Sequence, residues 1–310
     1  MWKPSTTSGV GYRVHLYTRV VAGQESDDIE TWLDREFERP AAEPLEKAIS
    51  GCKLTPNDWK YLIRFVAAQI VRTPAYFIDN RRRWEADVPK LLGETLRQSV
   101  EKWEAATRAG IRLVAEKAPN SEYLPLHISV EKNSGSPGGT VKTTVLLNRD
   151  TWFFSMKHLL TVGAGRQLHD YRWTIVSPCE GASWFTSDDP VIRLNFYVNG
   201  AYDFKGGVGM PGAEILLPLS PTHLLYAQVG HKPPPRGTIM SPQHTAMIRR
   251  FIAEHAHRMI FAASPEQDIV DLRPRTVDEQ RFREEEQMWQ DWHAEQSAAE
   301  RGLAERGQKA

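Results

Sequence analysis

The chain has 310 residues, and 39 Lys and Arg against 39 Asp and Glu leave it without net charge, which argues against nucleic acid as a default partner. A hydrophobic fraction of 41% with ten tryptophans argues for a folded core, and the two cysteines, Cys52 and Cys179, form no CxxC pair, which excludes a disulfide framework or a cysteine zinc site. Met1 to Gly9 lacks the apolar run of a secretory signal and no stretch is apolar enough to span a membrane, so a soluble protein with reduced thiols in the cytoplasm is the expectation.

Val10 to Ala22 alternates apolar and polar residues and predicts one short strand. Residues 26–50 predict helix, with Trp32, Leu33, Phe37, Leu45, Ala48 and Ile49 inward around interruptions at Pro40 and Pro44. Thr55-Pro56-Asn57-Asp58 is the clearest start signal: a threonine cap, a proline at the first helical position and an acid three residues after the cap. Trp59, Leu62, Ile63, Val66 and Ile70 follow at helical spacing, with a stop near Thr73-Pro74. Gln69 lies at the edge of this apolar stripe, and Arg72 lies farther round, on the flank of Tyr61 and Phe65. A second long helix is predicted from Tyr76 to Ala118, broken near Pro89, with Arg81-Arg82-Arg83 as a solvated face.

The pattern then turns to strands. His127 to Glu131 and Val141 to Leu147 flank a glycine- and proline-containing loop at Gly135 to Gly139. Asp150 caps a helix to Gly163, with Phe153, Met156, Leu159 and Leu160 inward. Trp173 to Val176 and Ser183 to Thr186 predict neighbouring strands, and Val191 to Tyr197 with Tyr202 to Phe204 predict a hairpin around Asn199-Gly200. Ile215 to Leu219 and His223 to Val229 add two strands. Ser241 caps a helix to about His257, Met259 to Ala262 is a last short strand, and from Val277 the chain is charged and helix-prone, with Trp289 and Trp292 offering a packing face.

Within this frame, Trp184-Phe185-Thr186-Ser187-Asp188-Asp189-Pro190-Val191 stands out: an apolar strand runs into a hydroxyl, two carboxylates and a turn-fixing proline. This segment is similar to the "F-x-T-S-D-N-P-V" segment of the DUF4238 family. Gln69-Ile70-Val71-Arg72-Thr73-Pro74 resembles that family's "Q-x-x-R-T-P", and Leu217-Pro218-Leu219-Ser220-Pro221 its "P-L-S-P" strand. The helix around Ile248 to Ala256, followed by Arg258 to Ala262, fits the family's closing helix and strand. The likeness spans about residues 55–265 and carries no settled activity. Two departures stand against it: Asp189 occupies a position where asparagine is usual, and the N-terminal region offers only His15, without the His-x-Val-Pro-Gln-like opening segment.

Asp188, Arg72 and Gln69 are the candidate catalytic residues. A carboxylate at the end of a buried strand can act as a base, hold a metal or anchor an arginine, and the same trio facing a cleft can grip a phosphate or a carboxylate. An Arg72–Asp188 bridge would instead make them a structural brace. Ser187, Asp189, Asp203 and Lys205 are weaker ligand-binding candidates. Asp188 with Asp203-Phe204-Lys205 imitates the Asp…Asp-x-Lys of metal-dependent nucleases, with positions 203 and 205 on one strand face. The cofactor is left open, a divalent metal at Asp188 being the one candidate. The ten histidines show no ligand spacing, so no metal set is assigned.

The expectation is therefore α+β: a helical N-terminal portion packed on a mostly antiparallel sheet, forming one domain over 1–270, with a charged helical tail over 271–310. The functional expectation is a hydrolase or nuclease-like enzyme, the alternative a non-catalytic binding or interaction protein.

Overall fold

A computed structural model describes residues 2–6, 11, 13–21, 23–111, 126–132, 139–145, 147–161, 164–197, 200–206, 209–272 and 278–308, with side chains for all of these but 126–132, 139–145 and 303–308. The chain opens with a hairpin of β1 (Arg19–Val21) and β2 (Gln24–Ser26), where one strand was expected. Next, α1 (Asp28–Leu33) passes through a π-helical turn, Asp34–Glu38, into α2 (Arg39–Ile49). Pro40 sits in the first turn of α2, and Pro44 is carried inside it and buried, so neither interrupts the helix.

The helix α3 (Pro56–Val71) starts on a reciprocal cap: the Asp58 N–H donates to Thr55 Oγ1 at 3.2 Å and the Thr55 N–H to Asp58 Oδ2 at 2.8 Å. It ends where Thr73, extended because a proline follows, caps the next helix through the Tyr76 N–H. That helix, α4 (Pro74–Arg108), differs from the expectation: it stops at Arg108 and runs unbroken through Pro89. Pro89 is exposed, so water can satisfy the carbonyl that its ring displaces.

The hairpin β3 (Leu126–Lys132) and β4 (Gly139–Val145) follows, then α5 (Arg149–Thr161), the short α6 (Ala164–Gln167) and a 3₁₀ turn, Leu168–Asp170. The expected loop at Gly135 to Gly139 lies outside the described residues except for Gly139. At α5 the cap is Asn148, whose Oδ1 accepts the Thr151 N–H at 3.2 Å, while Asp150 pairs with Arg19 at 2.9 Å.

The second half holds β5 (Trp173–Val176), β6 (Thr186–Ser187), β7 (Ile192–Phe196), β8 (Tyr202–Asp203), β9 (Glu214–Ser220) and β10 (His223–Gln228), then α7 (Pro242–His255), β11 (Ile260–Phe261), α8 (Asp268–Leu272) and α9 (Glu279–Gln308). Five of these strands form an antiparallel sheet in the order β5-β10-β9-β7-β8. One face buries Ile175, Ile215, Leu217 and Leu225 against Leu62, Ile63 and Val66 of α3. The other buries Leu194, Leu216 and Leu224 with Trp184 and Phe185 against Ile248, Phe251 and Ile252 of α7. The molecule is thus α+β with helices on both faces of the sheet. A third core is helical: Val71, Phe77, Trp152 and Phe153 close on Trp289 and Trp292, so α9 packs through the tryptophans anticipated for the tail. No helix among the described residues is long and apolar enough to cross a membrane.

Candidate functional site

The short pairing of β6 with β11 sets Ser187 beside Ile260 and brings the turn after β6 against the segment that leaves α7. Ser187 closes that turn: its hydroxyl donates to the Asp189 carbonyl at 2.9 Å and accepts the Asp189 N–H at 3.3 Å. Asp188 grips the segment after α7. Its Oδ1 accepts the N–H groups of His257 at 3.0 Å and Arg258 at 3.1 Å, its Oδ2 accepts Arg258 N–H at 2.8 Å, and its own N–H donates to Met259 O at 3.1 Å. Backbone amides beyond a helix end need acceptors, and this carboxylate provides them.

The expected Arg72–Asp188 bridge is therefore not formed. Arg72 pairs with Glu38 of the π-helical turn, and its carbonyl accepts the Tyr17 hydroxyl. Burial pushes that phenol above its ordinary value. Even so, Gln69, Arg72, Ser187 and Asp188 all line one cavity of about 670 Å³, closed by the 13–18 loop, the segment after α7 and α9. The two halves of the sequence signature meet in space without an ion pair between them.

Two side chains in this cavity carry N–H donors that meet no protein acceptor among the described residues. Gln69 is 9% exposed, and its amide has no hydrogen bond among the described residues. The Arg13 guanidinium stacks over the Trp289 ring at 5.2 Å and makes no hydrogen bond or ion pair among the described residues. Burial and then the neighbouring Arg258 charge weaken its hold on its proton.

Beside them stands a histidine–carboxylate pair, with His257 Nε2 3.0 Å from Glu285 Oε1. Burial works against the charged ring, but the hydrogen bond and charge of Glu285, aided by Asp188, outweigh it and lift the His257 pKa above its ordinary value. Glu285 also meets Arg258 Nε at 3.1 Å and accepts Trp289 Nε1–H at 3.1 Å. Burial pushes its carboxyl upward, yet these partners hold it below the usual carboxylate range.

The chain bends at Asp188 and Asp189, and their carboxylates diverge. Asp189 lines a second cavity of about 570 Å³, together with Asp203 and Lys205; among the described residues only His257 lines both cavities. Burial raises the Asp189 pKa despite His255 at 3.6 Å and the Thr73 hydroxyl at 3.3 Å. The nuclease-like pattern does not assemble. β8 ends at Asp203, so positions 203 and 205 share no strand face, and Asp203 and Asp188 face different cavities. The Asp203 oxygens accept from Tyr197 at 2.7 Å, from the Lys205 N–H at 2.9 Å and from Asn195 at 3.2 Å, which hold its carboxyl below the usual range.

Sequence reading missed Arg13, His257, Arg258 and Glu285. Glu285 lies in a Glu284–Glu286 run that reads as solvated surface, and only Trp289 one turn later hints that one face of that helix is buried.

Among the described residues one group has cation-site spacing: ligand atoms of His15, Glu25 and His293 lie within 4.8 Å of one another. His293 accepts at Nδ1 from Arg149, 3.2 Å away, which leaves the proton on Nε2, 2.8 Å from Glu25. That proton occupies the lone pair a metal needs, and His15 stacks on the His293 ring at 4.4 Å and meets the Thr18 hydroxyl at 3.3 Å instead.

No curated protein and no solved structure matches this sequence. The family model for "Protein of unknown function (DUF4238)" matches residues 2–266, from the N-terminal loop that carries Arg13 and His15 through the strand after α7. That match takes in every residue of the first cavity except Glu285, and the chain belongs to the DUF4238 family.

Proposed function

We propose that the protein is a hydrolase for a small substrate with an anionic group, and that the first cavity is its active site. The observation that carries this reading is Gln69, a residue 9% exposed whose amide opens on the same cavity as the His257–Glu285 pair and has no hydrogen bond among the described residues. An amide that faces a cavity with no protein partner is free to bond a ligand there. Arg13 and Arg72 supply guanidinium donors suited to a phosphate or carboxylate. His257, whose hold on its proton Glu285 strengthens, donates a proton to the leaving oxygen as water adds to the electrophilic centre and the ester bond breaks. The proton released by the water returns to the ring. Asp188 is a positioning residue, because its contact with the chemistry runs through the backbone it holds.

The test is turnover of p-nitrophenyl phosphate, bis(p-nitrophenyl) phosphate and mono-p-nitrophenyl succinate by the wild type, His257→Gln and Gln69→Leu. Hydrolysis of one ester, falling by about 100-fold in His257→Gln, is expected. Equal turnover in wild type and His257→Gln removes His257 from the reaction. Phosphate or succinate binding that Gln69→Leu abolishes, without turnover of any ester, assigns the non-catalytic binding reading instead.

A further inference from the structure

The second cavity has its own unpartnered cation. Arg193 projects from β7, whose register against β9 sets it opposite Ile215. The strand is pinned from its other side, because the Gly206 N–H donates to Arg193 O at 3.3 Å. A side-chain carbon at 206 would come within 2.8 Å of the Arg193 carbonyl carbon, so only glycine lets the loop approach so closely. The Arg193 side chain is largely withdrawn from water, which weakens its hold on its proton; Asp189, Tyr76 and Asp79 favour its charge from a distance. It makes no hydrogen bond or ion pair among the described residues. A guanidinium remains charged inside a protein, so its five donors stand unmatched by protein groups in this cavity.

The surrounding carboxylates leave this role open. Asp203 accepts from Tyr197 and Asn195, Glu254 accepts from Tyr202 at 2.5 Å and pairs with Arg250 at 2.6 Å, and Asp189 faces Thr73 and His255. Asp79 is exposed and makes no hydrogen bond or ion pair among the described residues. Four carboxylates against Arg193 and Lys205 make the rim acidic overall, which repels a polyanion such as a nucleotide or inorganic phosphate. A ligand that carries one anion and one cation meets both demands. We propose that the second cavity binds a zwitterionic α-amino acid. Its carboxylate takes the Arg193 fork, its ammonium faces Asp79 and Asp189, and its side chain lies against the aromatic wall of Tyr202 and Phe204, whose rings stand 5.9 Å apart.

Among the described residues this cavity shares only His257 with the first, and the groups invoked here are not those of the proposed hydrolysis, so the test does not depend on turnover. Intact protein is titrated calorimetrically with an α-amino acid panel led by phenylalanine and leucine, and with acetate, methylamine and inorganic phosphate as partial probes. One or more amino acids should bind at least about tenfold more tightly than acetate, methylamine or phosphate. Arg193→Gln should weaken that binding by at least about tenfold, and Arg193→Lys should not restore it, because an ammonium lacks the two-pronged fork. Asp79→Asn, at an exposed position where folding is not at stake, should weaken the amino acid and leave acetate unchanged. Arg13→Gln in the first cavity should change neither. Tighter binding of phosphate than of any amino acid, equal binding by wild type and Arg193→Gln, or binding by no probe overturns the proposal.

Discussion

Arg149 at the start of α5 and Glu300 near the far end of α9 form an ion pair at 2.9 Å, with side chains only 1% and 2% exposed. Ser297 and His293 meet the same guanidinium, and the Glu300 carboxylate also accepts the Val20 N–H at 2.7 Å. One pair thus joins the first hairpin, α5 and α9. Removing a single member of a buried pair strands the other charge, so Glu300→Ala should lower the unfolding free energy by about 3–5 kcal/mol. Replacing both with apolar residues, Arg149→Met with Glu300→Leu, should cost less than either single change. Urea unfolding of the three variants measures this, and a double variant weaker than both singles sinks the idea.

Asp189→Asn should stabilise the protein at neutral pH. Burial raises the Asp189 pKa in the folded state, so between the ordinary and the raised value the native protein binds more protons than the unfolded chain. Stability contributed by this position therefore falls as pH climbs through that window. Asparagine keeps an acceptor for the Thr73 hydroxyl and carries no charge to bury. A Tm rise of about 2 °C at pH 7, vanishing near pH 3.5, is expected; an unchanged difference between the two pH values would count against the burial argument.

The His257–Glu285 pair works in the opposite direction. A histidine raised in the folded state adds stability that is fully present below about pH 6.5, its unfolded value, and lost as pH rises through the folded one. The stability gap between wild type and His257→Gln should be about 1 kcal/mol near pH 6 and shrink steadily toward pH 9. A flat gap across that range, read from denaturant melts, would show that the ring is not held protonated.

Gln69→Met should leave the stability of the protein within about 1 kcal/mol of the wild type, since it removes an amide with no protein partner and keeps the side-chain volume. The same change should abolish ligand binding in the first cavity. A loss of stability above about 1 kcal/mol would mean that Gln69 has a structural partner after all.

Much of the fold was legible because local chemistry set it. The Thr55 cap, the Thr73-Pro74 break, the Ser241 cap and the alternating strands of the sheet each rest on neighbours within a few residues. The pairing of Gln69-Arg72 with Ser187-Asp188 across one cavity was legible only as far as proximity. Which charge meets which depends on the π-helical turn that delivers Glu38 to Arg72, and on the backbone amides after α7 that claim Asp188. Pro89 misled for a related reason: periodicity cannot tell a buried helix, which a proline breaks, from an exposed one whose freed carbonyl meets water. Glu285 lay beyond reach because an acid inside a charged run declares no partner.

The position of Glu285 and Trp289 on α9 also fixes when the first cavity comes into being. During synthesis the sheet and its covering helices can collapse once residues up to 272 have emerged, since both faces of the sheet are filled by residues up to that point. The carboxylate that pairs with His257 and the indole beneath Arg13 arrive afterwards, on the last described helix to leave the ribosome. A nascent chain therefore folds its sheet before the His257–Glu285 pair exists, and the first cavity takes its described form only when α9 docks.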